Sequence, residues 1–198
     1  VSVALRTAEM SWADVVHKTT WITEECSLSD VRIAEAAKMG GAMTTTTMVS
    51  TDALSSGCFV EVEVVAVRID ANSLPDEPMR KFGPPGTSPP TPPGLWGCVT
   101  VTSSNAMLFV SGQVGDTPPS EQAEVVYAKL SSTLVEAGYS WADVVKRRTF
   151  RTPDWDRSID IDAGRIAMAG AMSAHTGIGV TALASPDFLI ETELIAAH

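Results

Sequence analysis

Few side chains in this 198-residue chain have the type and placement for acid/base chemistry. Glu61 and Glu191 sit in two related runs, Phe59-Val60-Glu61-Val62-Glu63 and Leu189-Ile190-Glu191-Thr192-Glu193. An imidazole close to such a carboxylate stays charged near neutrality and can act as an anion contact or as a general acid/base. His175 is one imidazole of that type, and Glu191 one such carboxylate. The opposing reading makes His175 a hydrogen-bonded strand residue and the two glutamates water-facing carboxylates kept by shared origin. His17 and His198 show no ligand spacing with His175, and Cys26, Cys58 and Cys98 lack any Cys-x-x-Cys spacing. Neither a metal, a cofactor nor a disulfide framework is expected.

Composition narrows the function classes. With 44% hydrophobic residues the chain should bury a core. The net charge is -10, and Lys146-Arg147-Arg148 is the only dense basic run. That cannot supply the phosphate neutralisation behind nucleic-acid binding, so neither DNA nor RNA is an expected partner. No apolar run is long enough to span a bilayer, and Val-Ser-Val-Ala-Leu-Arg lacks the organisation of a signal peptide. The expected location is the cytoplasm, with reduced thiols.

The elements that must position these residues come in two copies. Ser-Trp-Ala-Asp-Val-Val occurs at 11–16 and at 140–145, an offset of 129 residues. The same offset places Gly41-Ala42-Met43 on Gly170-Ala171-Met172 and Ala53-Leu54 on Ala182-Leu183. After one extra residue at Ala184, the two glutamate runs align. Because the period far exceeds that of stacking repeats, each unit is a small domain. The expected division is a first module over 1–68, a Pro/Gly-rich linker over 69–94 holding eight of the twelve prolines, and a second module over 95–198.

In chain order, the apolar spacing of Val1, Leu5 and Ala8 predicts that the chain opens inside a helix. Residues 16–23 are rich in β-branched side chains and read as a strand. Ser29 to Met39 reads as a helix capped by Ser29 or Asp30 and ended by Gly40-Gly41. Thr44 to Leu54 is strand-like, and Phe59 to Val67 alternates as a strand with one apolar side. The second module adds strands at Cys98–Thr102 and Met107–Gln113, then a helix with Ser120 as N-cap and Gly138 at its end. The complete order is β-β-α-β-α-β-β, an α+β module; the first copy lacks the two opening strands.

Phe109-Val110-Ser111-Gly112-Gln113-Val114, Glu136-Ala137-Gly138, Trp141-Ala142-Asp143-Val144-Val145-Lys146 and Ile190-Glu191-Thr192-Glu193-Leu194-Ile195-Ala196 follow one another as do the signatures of the RidA/YjgF family, which the chain resembles. The second module matches from about Gly94 to His198, the first only from its opening helix. The resemblance implies chorismate-mutase-like modules, trimeric assembly (here a homotrimer of tandem chains) and small-molecule sites in clefts between modules. It also implies hydrolysis of reactive enamines and imines such as 2-aminoacrylate, by an arginine that grips the substrate carboxylate, a glutamate that positions water, and backbone groups near the Ser-Gly-Gln strand.

Carried over residue by residue, the glutamate is Glu191 in one copy and Glu61 in the other, and the strand groups are Ser111 and Gly112. Trp96 stands where many relatives have a tyrosine. The arginine is missing, its place taken by His175 and Thr46. A hydroxyl cannot replace the bidentate fork of a guanidinium, so ordinary 2-aminoacrylate deamination is not expected. The expected function is a diverged RidA-like enzyme of a specialised biosynthetic pathway, acting on a small imine, enamine or otherwise activated intermediate. His175 and Glu191 would be catalytic, and Trp96, Ser111, Gly112, Thr46 and Glu61 would bind substrate. The alternative is a non-catalytic metabolite-binding or scaffold protein.

Overall fold

The repeated box folds the same way twice. Ser11 directs its N–H and hydroxyl to Asp14 Oδ2 at 2.7 and 2.9 Å, and Ser140 does the same to Asp143 at 2.8 and 2.7 Å. Each closes a single 3-10 turn through a reciprocal capping box. The indole N–H of Trp12 then reaches Ser2 Oγ at 3.1 Å, and that of Trp141 reaches Ser131 Oγ at 2.9 Å. Ser2 and Ser131 are themselves one period apart, so the duplication extends to individual hydrogen bonds.

The computed structural model describes residues 1–42, 44–68, 79–82, 98–101 and 106–198. The first module contains helix α1 (Ser2–Thr7), strand β1 (Val15–Ile22), helix α2 (Leu28–Met39) and strands β2 (Thr45–Ser50) and β3 (Val60–Ala66). The strands form one sheet in the order β2-β1-β3, with β1 parallel to β2 and antiparallel to β3. The second sheet has six strands in the order β4-β5-β6-β9-β7-β8. They are β4 (Met79–Phe82), β5 (Cys98–Val101), β6 (Met107–Val114), β7 (Val144–Arg151), β8 (Ala174–Gly179) and β9 (Ile190–Ala197), joined by helices α3 (Pro119–Ala137) and α4 (Arg157–Met168). The α+β expectation holds, and β7, β8 and β9 repeat the pairing of β1, β2 and β3.

Several boundaries differ from the sequence reading for local reasons. Helix α2 starts one residue earlier, at Leu28, because Ser27 Oγ rather than Ser29 or Asp30 accepts a free N–H of the first turn, that of Asp30. Helix α3 starts at Pro119, which has no N–H to satisfy, so Ser120 lies inside the helix and caps nothing. Strand β2 stops at Ser50, whose backbone turns to exchange hydrogen bonds with the Thr181–Ala182 backbone of the second module at 2.9 Å. Residues 79–82 lie in a proline-free stretch of the supposed linker. With every N–H available they pair with β5 as an edge strand. The rest of 69–94, and Trp96, lie outside the described residues.

The main core lies between the second sheet and helices α3 and α4, around Leu108, Val110, Val126, Leu130, Leu134, Ile190 and Leu194. The opposite face of that sheet meets the first module. There Phe109 packs on Val16, and Trp21 meets Phe150 edge-on with ring centroids 5.7 Å apart. Among the described residues no helix is long and apolar enough to cross a membrane.

Candidate active site between the two modules

Strand β9 alternates between these two faces. Ile190, Leu194 and Ala196 point into the helix-side core, while Glu191 and Glu193 point at the first module, 5% and 4% exposed. The two carboxylates have opposite fates. Glu193 accepts bonds from the Thr47 hydroxyl and the Arg148 guanidinium and lies 3.5 Å from His17 Nε2. Burial acts to raise its pKa, but the His17 bond and charge, Arg148 and Thr47 together hold it below the usual range. Arg148 spans the junction, donating to Thr19 Oγ1 at 2.7 Å and lying 3.6 Å from Glu63. This network is a satisfied structural bolt.

Glu191 is not satisfied. Burial, with the like charge of Glu193 behind it, pushes its carboxyl up to about 8, against a weaker opposing pull from Arg32. Its Oε2 has no hydrogen-bond partner. The group lies across the bulge of β6 and fits because residue 112 is glycine: a Cβ there would stand 1.7 Å from Glu191 Oε1. On the same bulge the Thr46 N–H donates to Ser111 Oγ at 3.0 Å, and the Gly112 N–H to Thr47 Oγ1 at 3.1 Å. At neutral pH the cleft thus holds a neutral carboxylic acid that can give up a proton.

The structure gathers Thr46, Ser111, Gly112 and Glu191 at one junction. Glu61 is exposed on edge strand β3, across from Trp21 and outside this group. His175 is also elsewhere. In register it is the neighbour of Arg147 on β7, and its Nε2 lies 3.1 Å from Thr149 Oγ1, on the helix side of the sheet; Glu191 pairs with Phe150 on the opposite side. Within one chain the expected His175–Glu191 pair is therefore not formed. Nor is His175 charged near neutrality: burial, Arg147 and Arg151 depress its pKa to about 4, with Asp160 opposing them too weakly.

Arg32 on α2 is the residue that sequence reasoning missed. Its charge acts on Glu191, and its Nε is buried without a partner. Its counterpart one period on is Ile161, and that contrast between copies was the available signal. Among the described residues no group of three His, Cys, Asp or Glu could hold a metal ion.

Comparison with solved structures gives matches of two kinds. Rv2704 of Mycobacterium tuberculosis, a member of the YjgF/YER057c/UK114 family, is 22% identical with a TM-score of 0.52, over 61% of this chain and 99% of its own. Yeast Mmf1 is 20% identical with a TM-score of 0.52, over 61% of this chain and 98% of its own. A chorismatase is 16% identical but spans 98% of this chain and 67% of its own, with a TM-score of 0.65. At these identities the likeness is one of fold. A comparison with curated protein sequences gave no match. The family described as Endoribonuclease L-PSP matches residues 93–198, more than half of the sequence, and the chain belongs to that family, the RidA/YjgF family.

Proposed function

We propose that the chain is a diverged RidA-like enzyme that uses Glu191 as a general acid on a small carboxylate substrate bearing an enamine or enol-ether double bond. The observation that carries this reading is the Glu191 carboxyl, buried with Oε2 unpartnered and protonated up to about pH 8. The proton passes from Glu191 to the terminal carbon of the double bond, leaving an iminium or oxocarbenium ion. Water adds to the cationic carbon while the Glu191 carboxylate takes up its proton. The adduct then breaks to a ketone and the free amine or alcohol. Arg32 supplies the cation for the substrate carboxylate.

The enol-ether arm is the one to try first, since a structural neighbour that spans nearly the whole chain is named a chorismatase. The assay is keto-acid release from a panel of enamines and enolpyruvyl ethers, chorismate and in-situ 2-aminoacrylate included. Release that disappears in Glu191→Gln is expected; release that survives it would remove Glu191 from the mechanism. No release from any member would favour the binding-protein alternative. Assembly as a homotrimer belongs to the same reading. Its support is the contrast between homologous edge strands, β2 largely buried and β8 exposed at five of its six residues. A stable monomer by mass measurement would contradict it.

A further inference from the structure

The two copies treat one buried cation differently. In the first module Lys18, 2% exposed, is bonded by the Glu35 carboxylate of α2, which also accepts from Thr20 Oγ1 at 2.6 Å. One period on, these residues become Arg147, Gly164 and Thr149. The cation and the hydroxyl are kept and the carboxylate is gone. Arg147 is 7% exposed, so burial of its charge needs compensation as much as that of Lys18 does. Its Nη1 donates to Tyr127 Oη at 2.8 Å and touches Met168 Sδ at 3.4 Å, and its Nε is buried without a partner. The one buried carboxylate nearby, Asp160, is committed elsewhere. It takes Arg151 Nε and Nη2 at 2.9 and 2.5 Å and the Trp155 indole N–H at 2.8 Å.

Tyr127 fills the space next to Gly164, and open space lies on another side of Arg147. A cavity of about 340 Å³ is lined by Tyr127, Arg147, Asp160, Met168, Gly170 and His175, a volume within the range of small-molecule sites. Gly164 keeps the arginine in place: a Cβ there would stand 2.7 Å from Tyr127 Oη and 3.1 Å from Arg147 Nη1. His175 borders the cavity, with Nε2 engaged by Thr149. Arg151 is paired with Asp160, and Arg165, which also lines the cavity, lies 3.3 Å from Asp162, so Arg147 is the one charge left uncompensated, which suits one negative charge rather than two.

We propose that this cavity is a second ligand site, for a small organic monocarboxylate whose carboxyl group pairs with Arg147 as the Glu35 carboxylate pairs with Lys18. The site lies on the helix side of the second sheet, across β7 and β9 from Glu191, and does not depend on the chemistry assigned to that residue.

The test is calorimetric titration of the intact chain at neutral pH with butyrate, butyramide and inorganic phosphate, repeated on Arg147→Met and Glu191→Gln. Butyrate should bind with a dissociation constant below about 10 mM, and butyramide and phosphate at least tenfold more weakly. Arg147→Met, checked as folded by circular dichroism, should lose butyrate binding by tenfold or more, while Glu191→Gln keeps it within about twofold. A second variant, Tyr127→Leu/Gly164→Glu, clears the ring atoms that a Cβ at residue 164 would meet, brings a tethered carboxylate to Arg147 and should exclude butyrate. Equal binding of the amide, preference for phosphate, binding unchanged in Arg147→Met, loss in Glu191→Gln, or no binding of any probe at that concentration would each overturn the proposal.

Discussion

Replacing Glu191 by Gln keeps the shape of the side chain and removes its proton equilibrium, which makes stability against pH a direct test of how that carboxyl is housed. In the folded chain the group holds its proton up to about pH 8, against an ordinary value of 4.5. Between those values the folded state binds more protons than the unfolded one. Its contribution to stability is therefore complete below about pH 4.5 and is lost as the pH rises through 8. At about 1.4 kcal/mol per unit, the whole interval amounts to roughly 4–5 kcal/mol, a large share of the 5–15 kcal/mol typical of a domain. The assay is urea denaturation of both proteins at a series of pH values from 5 to above 8. Groups common to both cancel in the difference, so Glu191→Gln should gain on the wild type by roughly 3–5 kcal/mol across the series. Curves that stay parallel within about 0.5 kcal/mol would show that Glu191 is ionised at neutrality, and the reasoning from its burial would fail.

Three further outcomes follow from the same geometry. Gly112→Ala forces the Glu191 carboxyl off the β6 bulge; it should cost about 1–3 kcal/mol in urea denaturation and abolish the pH-dependent loss of stability towards pH 8. Arg148→Met leaves Glu193 buried beside a lost partner and should destabilise the chain by about 3–5 kcal/mol, whereas a change under about 1 kcal/mol would mean that the junction network is dispensable. His175→Ala should change kcat/KM on whichever compound is turned over by less than about tenfold, because His175 and Glu191 lie on opposite faces of the sheet. A loss of orders of magnitude would move the working site to β8.

The fold was legible because duplication prints the same evidence twice: the Ser-Trp-Ala-Asp-Val-Val box, the glutamate runs and the glycine-ended helices need only local rules to be read. The edge strand at Met79–Phe82 was hidden by its neighbours, since proline density describes a window and hydrogen bonding is decided residue by residue. The cleft was half legible. Ser111, Gly112 and Glu191 were named by the family resemblance and Thr46 by the register of the repeat, whereas the bulge that joins them lies in β6, a strand without a counterpart in the first copy. For His175, its place at the family arginine's position said nothing of which carboxylate it would face. Facing direction depends on exact pairing, and one residue of register reverses it, which no spacing between distant strands reveals. Arg32 and the Lys18–Glu35 against Arg147–Gly164 contrast lie at positions where the copies disagree, and their meaning appears only when burial shows which charge has lost its partner.

The central claim is that the inter-module cleft holds a neutral carboxylic acid at working pH. A pH titration of the glutamate side-chain carboxyl carbons by NMR, with the Glu191 resonance assigned by its absence in Glu191→Gln, reads that state without any substrate. The account predicts a midpoint near 8 for Glu191. A midpoint near the ordinary 4.5 would contradict it, and with it the general-acid role.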